Sequence, residues 1–268
     1  MLVSYHNHTS WSDGHCTVGE LIAGARVAGV SELGISDHFA VTPNGQSPVW
    51  SIQAEKLDLY VEDILRAAKS TEDIIVRLGV EVDFFPETLE KSISLLKPYP
   101  FDFIIGSVHF INEFTIDLNS GNWQAISQEE RNQVWKSYWS YLTAAAKSGC
   151  FDFIGHFDLP KKFKFYPDVD LTDDALAALD AISATDAALE INTSGWHKPV
   201  EEAYPSFFYL EEARSRNIPI IINADSHYLD HVTRDFEQAR NLASAAGYTE
   251  LIRYEKRKRI SYPLYDKL

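Results

Sequence analysis

Short apolar runs alternate along the chain with longer stretches that are apolar on one side only. The apolar runs are predicted β-strands over residues 2–8, 32–38, 74–85, 101–110, 151–158, 187–195 and 219–227. Amphipathic helices are predicted over residues 17–30, 54–70, 89–97, 128–149, 173–185, 206–217 and 233–247. Repeated strand-then-helix units indicate a parallel sheet with helices outside. No linker or low-complexity segment interrupts the pattern, and α/β barrels reach this length as one unit, so a single barrel domain over 1–268 is expected.

Polar side chains of the metal-ligand type follow almost every predicted strand, at the point where the apolar run ends. They are His6 and His8, Asp37 and His38, Glu81, His109, His156, Asn192, and Asp225 with His227. Six of the nine histidines occupy such ends. The carboxyl ends of barrel strands meet on one face, where active sites of this architecture are built, so these residues are expected to share one pocket.

The spacing of His6 and His8 favours a metal site. Side chains two residues apart on a strand point to the same side, so both imidazoles can reach one cation or two adjacent cations. Asp225 and His227 repeat this spacing on the last predicted strand. Glu81 is assigned a bridging role, because a carboxylate has two oxygens and can contact two metal ions. Asp83 lies two residues after Glu81, so its side chain points to the same side of the strand and it is a further ligand candidate. A salt bridge or a helix cap is an equally good interpretation of Asp83.

Two further ligand candidates, His109 and His156, each follow a glycine within three residues. A small neighbour leaves room for close approach to a metal, although a hydrogen-bonded core histidine is the alternative for each taken alone. Asp37 and His38 are adjacent, so on a regular strand they point to opposite sides. We therefore choose His38 as a ligand and Asp37 as the carboxylate that orients an imidazole.

The first loop adds candidates for a third cation, Asp13 and His15. The alternative to metal binding is a role in the turn before Gly14 for Asp13, and a position outside the site for His15.

Cationic residues after two of the strands are candidate substrate ligands. They are Lys161, Lys162, His197 and Lys198. Such groups hold a phosphate through charge-assisted hydrogen bonds, and a solvated surface position is the alternative for each. Trp196 either lines the same pocket or packs against the body of the protein.

The net charge of −15, from 24 basic and 39 acidic residues, restricts the partners. A duplex-DNA binder usually has the opposite balance, so no nucleic-acid partner is expected. The basic run Arg253 to Arg259 is interpreted as an edge strand whose cations block pairing with other sheets. No transmembrane span or signal peptide is recognised, and Cys16 and Cys150 are interpreted as free thiols. We therefore expect a cytoplasmic protein without a membrane partner.

Seven motifs taken together resemble one known family. They are HNHTSWSDG, ISDH, GVEVDF, GSVHF, IGHFDLPKKF, EINTSG and NADSH, in the order found in the PHP (polymerase and histidinol phosphatase) family. The likeness covers nearly the whole chain, and it is strongest to the stand-alone histidinol-phosphatase branch. The resemblance implies a distorted (β/α)7 TIM-like barrel. It also implies a trinuclear site of zinc, manganese or iron at the carboxyl ends of the strands, and from the number of candidate ligands we expect two to three divalent ions.

The resemblance further implies three ligand sets and a reaction. The sets are His6, His8, Glu81 and Asp225 for the first metal; Glu81, His109 and His156 for the second; and Asp13, His38 and His227 for the third, with His15 as an alternative to Asp13. The implied catalytic residues are Glu81, Asp225 and His227. The implied reaction is hydrolysis of a small phosphate monoester, L-histidinol phosphate, in histidine biosynthesis, and the oligomeric state is left open.

One segment departs from the family pattern. After EINTSG, the histidinol-phosphatase branch usually continues with an apolar residue and then Arg-Lys, whereas this chain has Trp196, His197 and Lys198. Histidine lacks the bidentate fork with which arginine binds phosphate. The departure affects the choice of substrate and leaves the metal ligands unchanged.

Three alternatives remain beside histidinol-phosphatase activity. A different small phosphate ester is the first. A binuclear amidohydrolase also begins with His-x-His on its first barrel strand, but the middle strand ends here are Glu81 and His109, with no lysine. A non-enzymatic metal-binding scaffold is the third, and the complete ligand set argues against it.

Overall fold

The apolar runs of the sequence form short strands in the computed structural model, which describes residues 1–265. The strands are β1 (Val3–Ser4), β2 (Glu32–Ile35), β3 (His38–Phe39), β4 (Ile75–Asp83), β5 (Phe103–Ser107), β6 (Phe110–Ile111), β7 (Phe114–Thr115), β8 (Phe153–Ile154), β9 (Ala188–Asn192), β10 (Ile220–Asn223), β11 (Glu250–Glu255) and β12 (Lys258–Pro263). The last three residues of the predicted domain, 266–268, lie outside this range.

Helices separate the strands of the main sheet. They are α1 (Val18–Val27), α2 (Leu57–Ser70), α3 (Leu89–Leu96), α4 (Ser120–Gln124), α5 (Gln128–Lys147), α6 (Thr172–Ser183), α7 (Phe207–Ser215) and α8 (Phe236–Ala245). Capping boxes fix the starts of α1 and α5, in which Thr17 pairs with Glu20 and Ser127 pairs with Glu130. No helix within residues 1–265 has both the length and the apolar character needed to cross a membrane.

The main sheet is parallel and runs in the order β1, β2, β4, β5, β8, β9, β10, with β3 paired to the end of β4. Beyond β1 and β10, Asn7 and Ser226 form a parallel bridge, in which Ser226 N donates to the His6 carbonyl at 3.0 Å. This bridge nearly closes a barrel of seven strand positions. The predicted distorted (β/α)7 barrel is therefore confirmed.

The predicted strand 32–38 is broken into β2 and β3 at Ser36 and Asp37. The Asp37 carboxylate accepts hydrogen bonds from Thr9 N at 2.7 Å and from Ser12 Oγ at 2.6 Å. These bonds tie the first loop to the strand and interrupt the regular ladder. The prediction that Asp37 orients an imidazole is wrong, because its oxygens bind the first loop.

The basic run Arg253 to Arg259 is not a single edge strand but spans the turn of an antiparallel hairpin, β11–β12. Its arginines contact the amino ends of barrel strands. Arg253 Nη1 lies 3.2 Å from Glu32, Arg259 Nη1 donates to the Asp186 carbonyl at 3.0 Å, and Arg257 pairs with Asp152. The hairpin therefore covers the end of the barrel opposite to the strand ends that carry the histidines.

Stacked aromatic rings fill the barrel. Tyr5 stacks on Phe103 with ring centroids 4.5 Å apart, and Phe103 stacks on Phe153 at 5.9 Å. Gly79 makes this possible, because a Cβ there would lie 2.1 Å from the Phe103 ring. With its centre packed, the barrel can present a cavity only at its ends.

Candidate metal centre

A cavity of about 470 Å³ opens at the carboxyl ends of the strands. Most of the predicted metal ligands line it, namely Asp13, His15, His38, His109, His156, Asp225 and His227. His6, His8 and Glu81 lie fully buried. Residues from both ends of the chain therefore meet at one site, as expected for the strand ends of a barrel.

Glu81 is the centre of the site, and its two oxygens face different imidazoles. Oε2 lies 2.8 Å from His38 Nδ1 and 3.2 Å from His6 Nε2. Oε1 lies 3.2 Å from His156 Nε2 and 3.7 Å from His109 Nε2. Such an arrangement can place one carboxylate oxygen on each of two cations.

Three groups of side chains have donor atoms close enough to hold one ion each. The groups are His6, His8 and Glu81; His38, Glu81 and His109; and His8, Asp13, His38 and His227. Asp225 Oδ1 lies beside the first group, 3.4 Å from His8 Nε2. His156 lies beside the second, with its Nε2 3.0 Å from His109 Nε2.

Second carboxylates hold the outer nitrogens of two of these imidazoles. His109 Nδ1 lies 2.7 Å from Asp83, and His6 Nδ1 lies 2.7 Å from Glu190. Glu190 also accepts a hydrogen bond from the His156 backbone N at 2.9 Å. Contacts of this kind fix the ring orientation of a metal-binding histidine.

Several ligand atoms at the centre of the cluster are buried, and within residues 1–265 none of them has a hydrogen bond of good geometry, even where, as for Glu81 and His38, the atoms lie close together. They include Nε2 of His6, both ring nitrogens of His8, Nδ1 of His38 and Oε2 of Glu81. Buried polar atoms rarely stay unsatisfied, because each one costs free energy. Imidazole nitrogens with carboxylate oxygens are the donor set of zinc, manganese and iron, so these residues fit divalent cations.

Charge within the cluster keeps its central carboxylate ionised. Burial raises the pKa of Glu81, but His6 and His38 outweigh burial and hold it well below its usual range. Burial lowers the pKa of His38, yet Glu81 and Asp13 raise it to about 9. Burial and the neighbouring His227 and His38 lower the pKa of His8 to about 3. Cations that bind here would therefore displace protons from some of the imidazoles.

Comparison with known proteins decides the family. The model of the PHP domain matches residues 4–194. The chain belongs to the PHP domain family. It is 34% identical over 262 residues to a Deinococcus radiodurans protein named "Probable histidinol-phosphatase", with 95% of this chain and 98% of that protein covered. It is 23% identical over 264 residues to the histidinol-phosphatase of Lactococcus lactis, with 96% and 95% covered.

A solved PHP-type structure has the same fold. It is histidinol phosphate phosphatase from Lactococcus lactis, complexed with zinc, L-histidinol and phosphate. The TM-score is 0.76 at 21% identity, over 97% of this chain and 98% of that one. The recognition of a PHP protein from the sequence motifs is confirmed.

Two residues that the sequence assigned to this PHP site, His15 and Lys161, do not take the positions expected of them. His15 borders the cavity but is exposed, stacks on Tyr228 with ring centroids 4.3 Å apart, and belongs to none of the three groups. Lys161 is buried and turned away from the cavity, where its Nζ lies 2.6 Å from Glu202 and 3.0 Å from Asp158. Both observations argue against the roles that the sequence predicted for these residues.

The other predicted substrate ligands of this PHP protein, Lys162, His197 and Lys198, line the cavity. Lys162 Nζ donates to the Asp117 carbonyl at 2.7 Å, and His197 Nε2 lies 2.5 Å from Asp235. Trp196 is partly buried against the core. Cys16 is buried, burial together with Asp37 raises the pKa of its thiol to about 11, and it belongs to none of the three ligand groups.

Sequence reasoning missed three residues around this PHP centre, Glu190, Asp117 and Arg234. Glu190 interrupts the apolar run ALEIN, and a carboxylate inside a buried strand was a usable signal. Asp117 and Arg234 line the cavity from loops, and no local pattern marks them.

The glycines before His109 and His156 are explained by packing rather than by access to a metal. A Cβ on Gly106 would lie 2.5 Å from the Phe151 ring, and a Cβ on Gly155 would lie 2.7 Å from Ser107 Oγ.

Proposed function

We propose that this protein is a metal-dependent phosphate monoester hydrolase that converts L-histidinol phosphate and water into L-histidinol and phosphate. The observation that carries the proposal is the position of Glu81, whose Oε2 faces three buried imidazoles and whose Oε1 faces two others. The relationship to a protein named as a histidinol-phosphatase, 34% identical over 95% of this chain, supports the choice of substrate.

Two to three divalent ions of zinc, manganese or iron are proposed as cofactors. The proposed ligands are His6, His8, Glu81 and Asp225 for the first; Glu81, His109 and His156 for the second; and Asp13, His38 and His227 for the third. Bound divalent cations supply charge neutralisation at phosphoryl oxygens and a nucleophilic water at neutral pH. Zinc is supported by its presence in the Lactococcus lactis complex.

The chain's own residues perform the remaining tasks. Glu81 and Asp225 remain ionised, because burial is outweighed by His6 and the other imidazoles around them, which hold both pKa values well below their usual range. With His227, they are the proposed catalytic residues. Glu81 belongs to two ligand groups, His227 belongs to the third and lines the cavity, and Asp225 lines the cavity beside the first group. In the net reaction, water adds its oxygen to phosphorus, the P–O ester bond breaks, and the alcohol oxygen gains a proton.

Lys162, His197 and Lys198 are proposed to bind the substrate from the cavity wall. Charge-assisted hydrogen bonds from such groups suit a phosphate. A second candidate is hydrolysis of a different small phosphate ester. It is favoured by His197, which stands where the histidinol-phosphatase branch usually has arginine, because an imidazole cannot reproduce the bidentate contact of a guanidinium.

Assay of the purified protein with added zinc, manganese or iron tests both candidates. The panel should contain L-histidinol phosphate, other small phosphate monoesters, and amide and lactone compounds. Preference for L-histidinol phosphate, lost on chelation, supports the proposal. Preference for another phosphate ester supports the second candidate. Turnover of amides or lactones alone contradicts both candidates and supports an amidohydrolase. The absence of any turnover also contradicts both and supports a non-enzymatic scaffold.

A further inference from the structure

Two cations of the cavity wall, Lys198 and Arg234, have no carboxylate partner in the part of the chain that the structure describes. Lys161 and Lys162 are paired with Glu202 and Asp117 respectively. Among residues 1–265, by contrast, neither Lys198 nor Arg234 forms an ion pair, although both are half-buried and the net charge of the chain is −15. In so acidic a protein, unpaired cations at a cavity indicate an anion that is supplied from outside.

The position of Arg234 is fixed by its backbone. Thr193 Oγ1, just after β9, donates to the Arg234 carbonyl at 2.7 Å. Nη1 lies 3.2 Å from His231 Nε2, so one corner of the guanidinium is also held. Nε is buried and has no hydrogen-bond partner within the described chain. A buried donor without a hydrogen bond costs free energy, and a bound acceptor would recover that free energy.

The charges around Arg234 concentrate at one side of the cavity. Burial lowers the pKa of Lys198, and the nearby charges of Lys162 and Arg234 lower it further. Burial also lowers the pKa of Arg234, and the charges of Asp235, Asp225 and Asp230 oppose that fall. Lys198 and Arg234 line the same cavity as the proposed ligand Asp225. Leu118 and Leu159 line the same cavity and carry no charge, and Asp117, which also lines it, pairs with Lys162.

We infer that Arg234 is a further substrate-binding residue, which with Lys198 receives the phosphoryl dianion of the ester. Arg234 supplies the planar guanidinium that His197 lacks, although it comes from a different loop. This inference rests on the proposed phosphatase function, because it concerns the same cavity. A guanidinium is the side chain best suited to two oxygens of one phosphoryl group.

Titration with inorganic phosphate tests the role of Arg234 without reference to any particular ester. The metal-loaded parent is compared with Arg234→Gln, Arg234→Lys and the control Arg214→Gln, by calorimetry and by phosphate inhibition of p-nitrophenyl phosphate hydrolysis. Arg214 is a partly buried arginine outside the cavity lining, and its Nε donates to the Gly247 carbonyl at 2.9 Å. Elemental analysis establishes that all four proteins carry the same metal content.

Arg234→Gln is expected to weaken phosphate binding on the order of tenfold to a hundredfold, the loss typical of one charge-assisted contact. The phosphate affinity of Arg234→Lys should lie between those of the parent and Arg234→Gln, because lysine keeps the positive charge but cannot make the bidentate contact of a guanidinium. If Arg234→Gln does not fold, the lysine variant decides the matter alone. Phosphate affinity equal to the parent in the folded variants, or a loss explained by missing metal, overturns the inference.

The two proposals fail separately. If the parent binds phosphate through Arg234 but does not hydrolyse L-histidinol phosphate, the substrate proposal is wrong and the role of Arg234 stands. If the parent hydrolyses L-histidinol phosphate and the Arg234 variants bind phosphate as the parent does, the role of Arg234 is wrong and the substrate proposal stands.

Discussion

His6 Nδ1 lies 2.7 Å from Oε1 of Glu190, and both side chains are fully buried. The contact directs His6 Nε2 toward Glu81, 3.2 Å away. Glu190 is itself held, because Asn223 Nδ2 donates to Oε1 at 2.9 Å and Asn192 Nδ2 donates to Oε2 at 3.0 Å. Glu190 therefore orients a proposed ligand from behind, on the side away from the cavity.

Replacing Glu190 by glutamine should weaken metal binding without removing a ligand. Loss of an orienting carboxylate typically reduces metal affinity about tenfold to a hundredfold. Competition with a chelator of known affinity measures the effect, and Glu237→Gln on the exposed side of α8 is a suitable control. Equal metal affinity in the Glu190 variant and the parent would show that the contact is structural only.

Replacing Glu81 by glutamine should abolish most activity while the barrel stays folded. The change removes one negative charge that five buried imidazoles face. Weakened cation binding removes several kcal/mol of transition-state stabilisation, so kcat/KM should fall by about a hundredfold or more. Steady-state kinetics and circular dichroism check the two parts, and a folded variant with full activity rules out the bridging role.

Removal of metal should destroy activity and lower the free energy of unfolding. Elemental analysis of protein purified without chelator should give two to three divalent ions per chain, since the cluster offers three ligand groups. A ligand present at a hundred times its dissociation constant stabilises the folded state by about 2.7 kcal/mol. Urea unfolding before and after chelation measures this difference. A metal-free protein with full activity contradicts the entire functional proposal.

His197 should influence substrate choice and leave metal content unchanged. Its side chain is 45% exposed at the cavity and is held by Asp235. His197→Ala should lower kcat/KM for the true substrate by about tenfold to a hundredfold, which is roughly 1.5–3 kcal/mol. His197→Arg should preserve or improve hydrolysis of L-histidinol phosphate. If both variants match the parent on every ester, His197 has no contact with the substrate.

Arg257 should stabilise the protein at neutral pH more than at acidic pH. Burial raises the pKa of Asp152 to about 6, and the Arg257 charge opposes that rise. The ordinary pKa of an aspartate is near 3.9, so between these values the folded state binds more protons than the unfolded state, and stability falls as pH rises. Arg257 offsets part of that fall once Asp152 is ionised.

Arg257→Gln should therefore lower the free energy of unfolding by about 1–2 kcal/mol at pH 7.5 and by much less at pH 5, where Asp152 is largely protonated. Urea unfolding at both pH values measures the difference, and Arg214→Gln serves again as control. A pH-independent loss would indicate that Arg257 acts mainly through its hydrogen bond to the Cys150 carbonyl.

Much of the fold and part of the site follow from local patterns. Strand and helix periods differ, so the alternation of β and α units is visible in the sequence and predicts a parallel barrel. Because barrel strands end on one face, the strand pattern alone is enough to place His6, Glu81 and His109 together. The conformation of Asp37 is not predictable in this way, since the strand break depends on hydrogen bonds to Thr9 and Ser12.

Side-chain direction outside regular strands was decided by the tertiary structure. Lys161 and Lys162 are neighbours within the 3₁₀ segment Leu159–Phe163, where successive side chains diverge by about 120°. One therefore pairs with Glu202 and the other reaches the cavity. Arg234 enters the cavity from a loop that Thr193 holds, 41 residues away in the chain. The sequence by itself determined which strand ends carry side chains of the metal-ligand type, because the period of a strand is local. The tertiary structure alone decided which loop residues join them, because loop paths depend on contacts between distant segments.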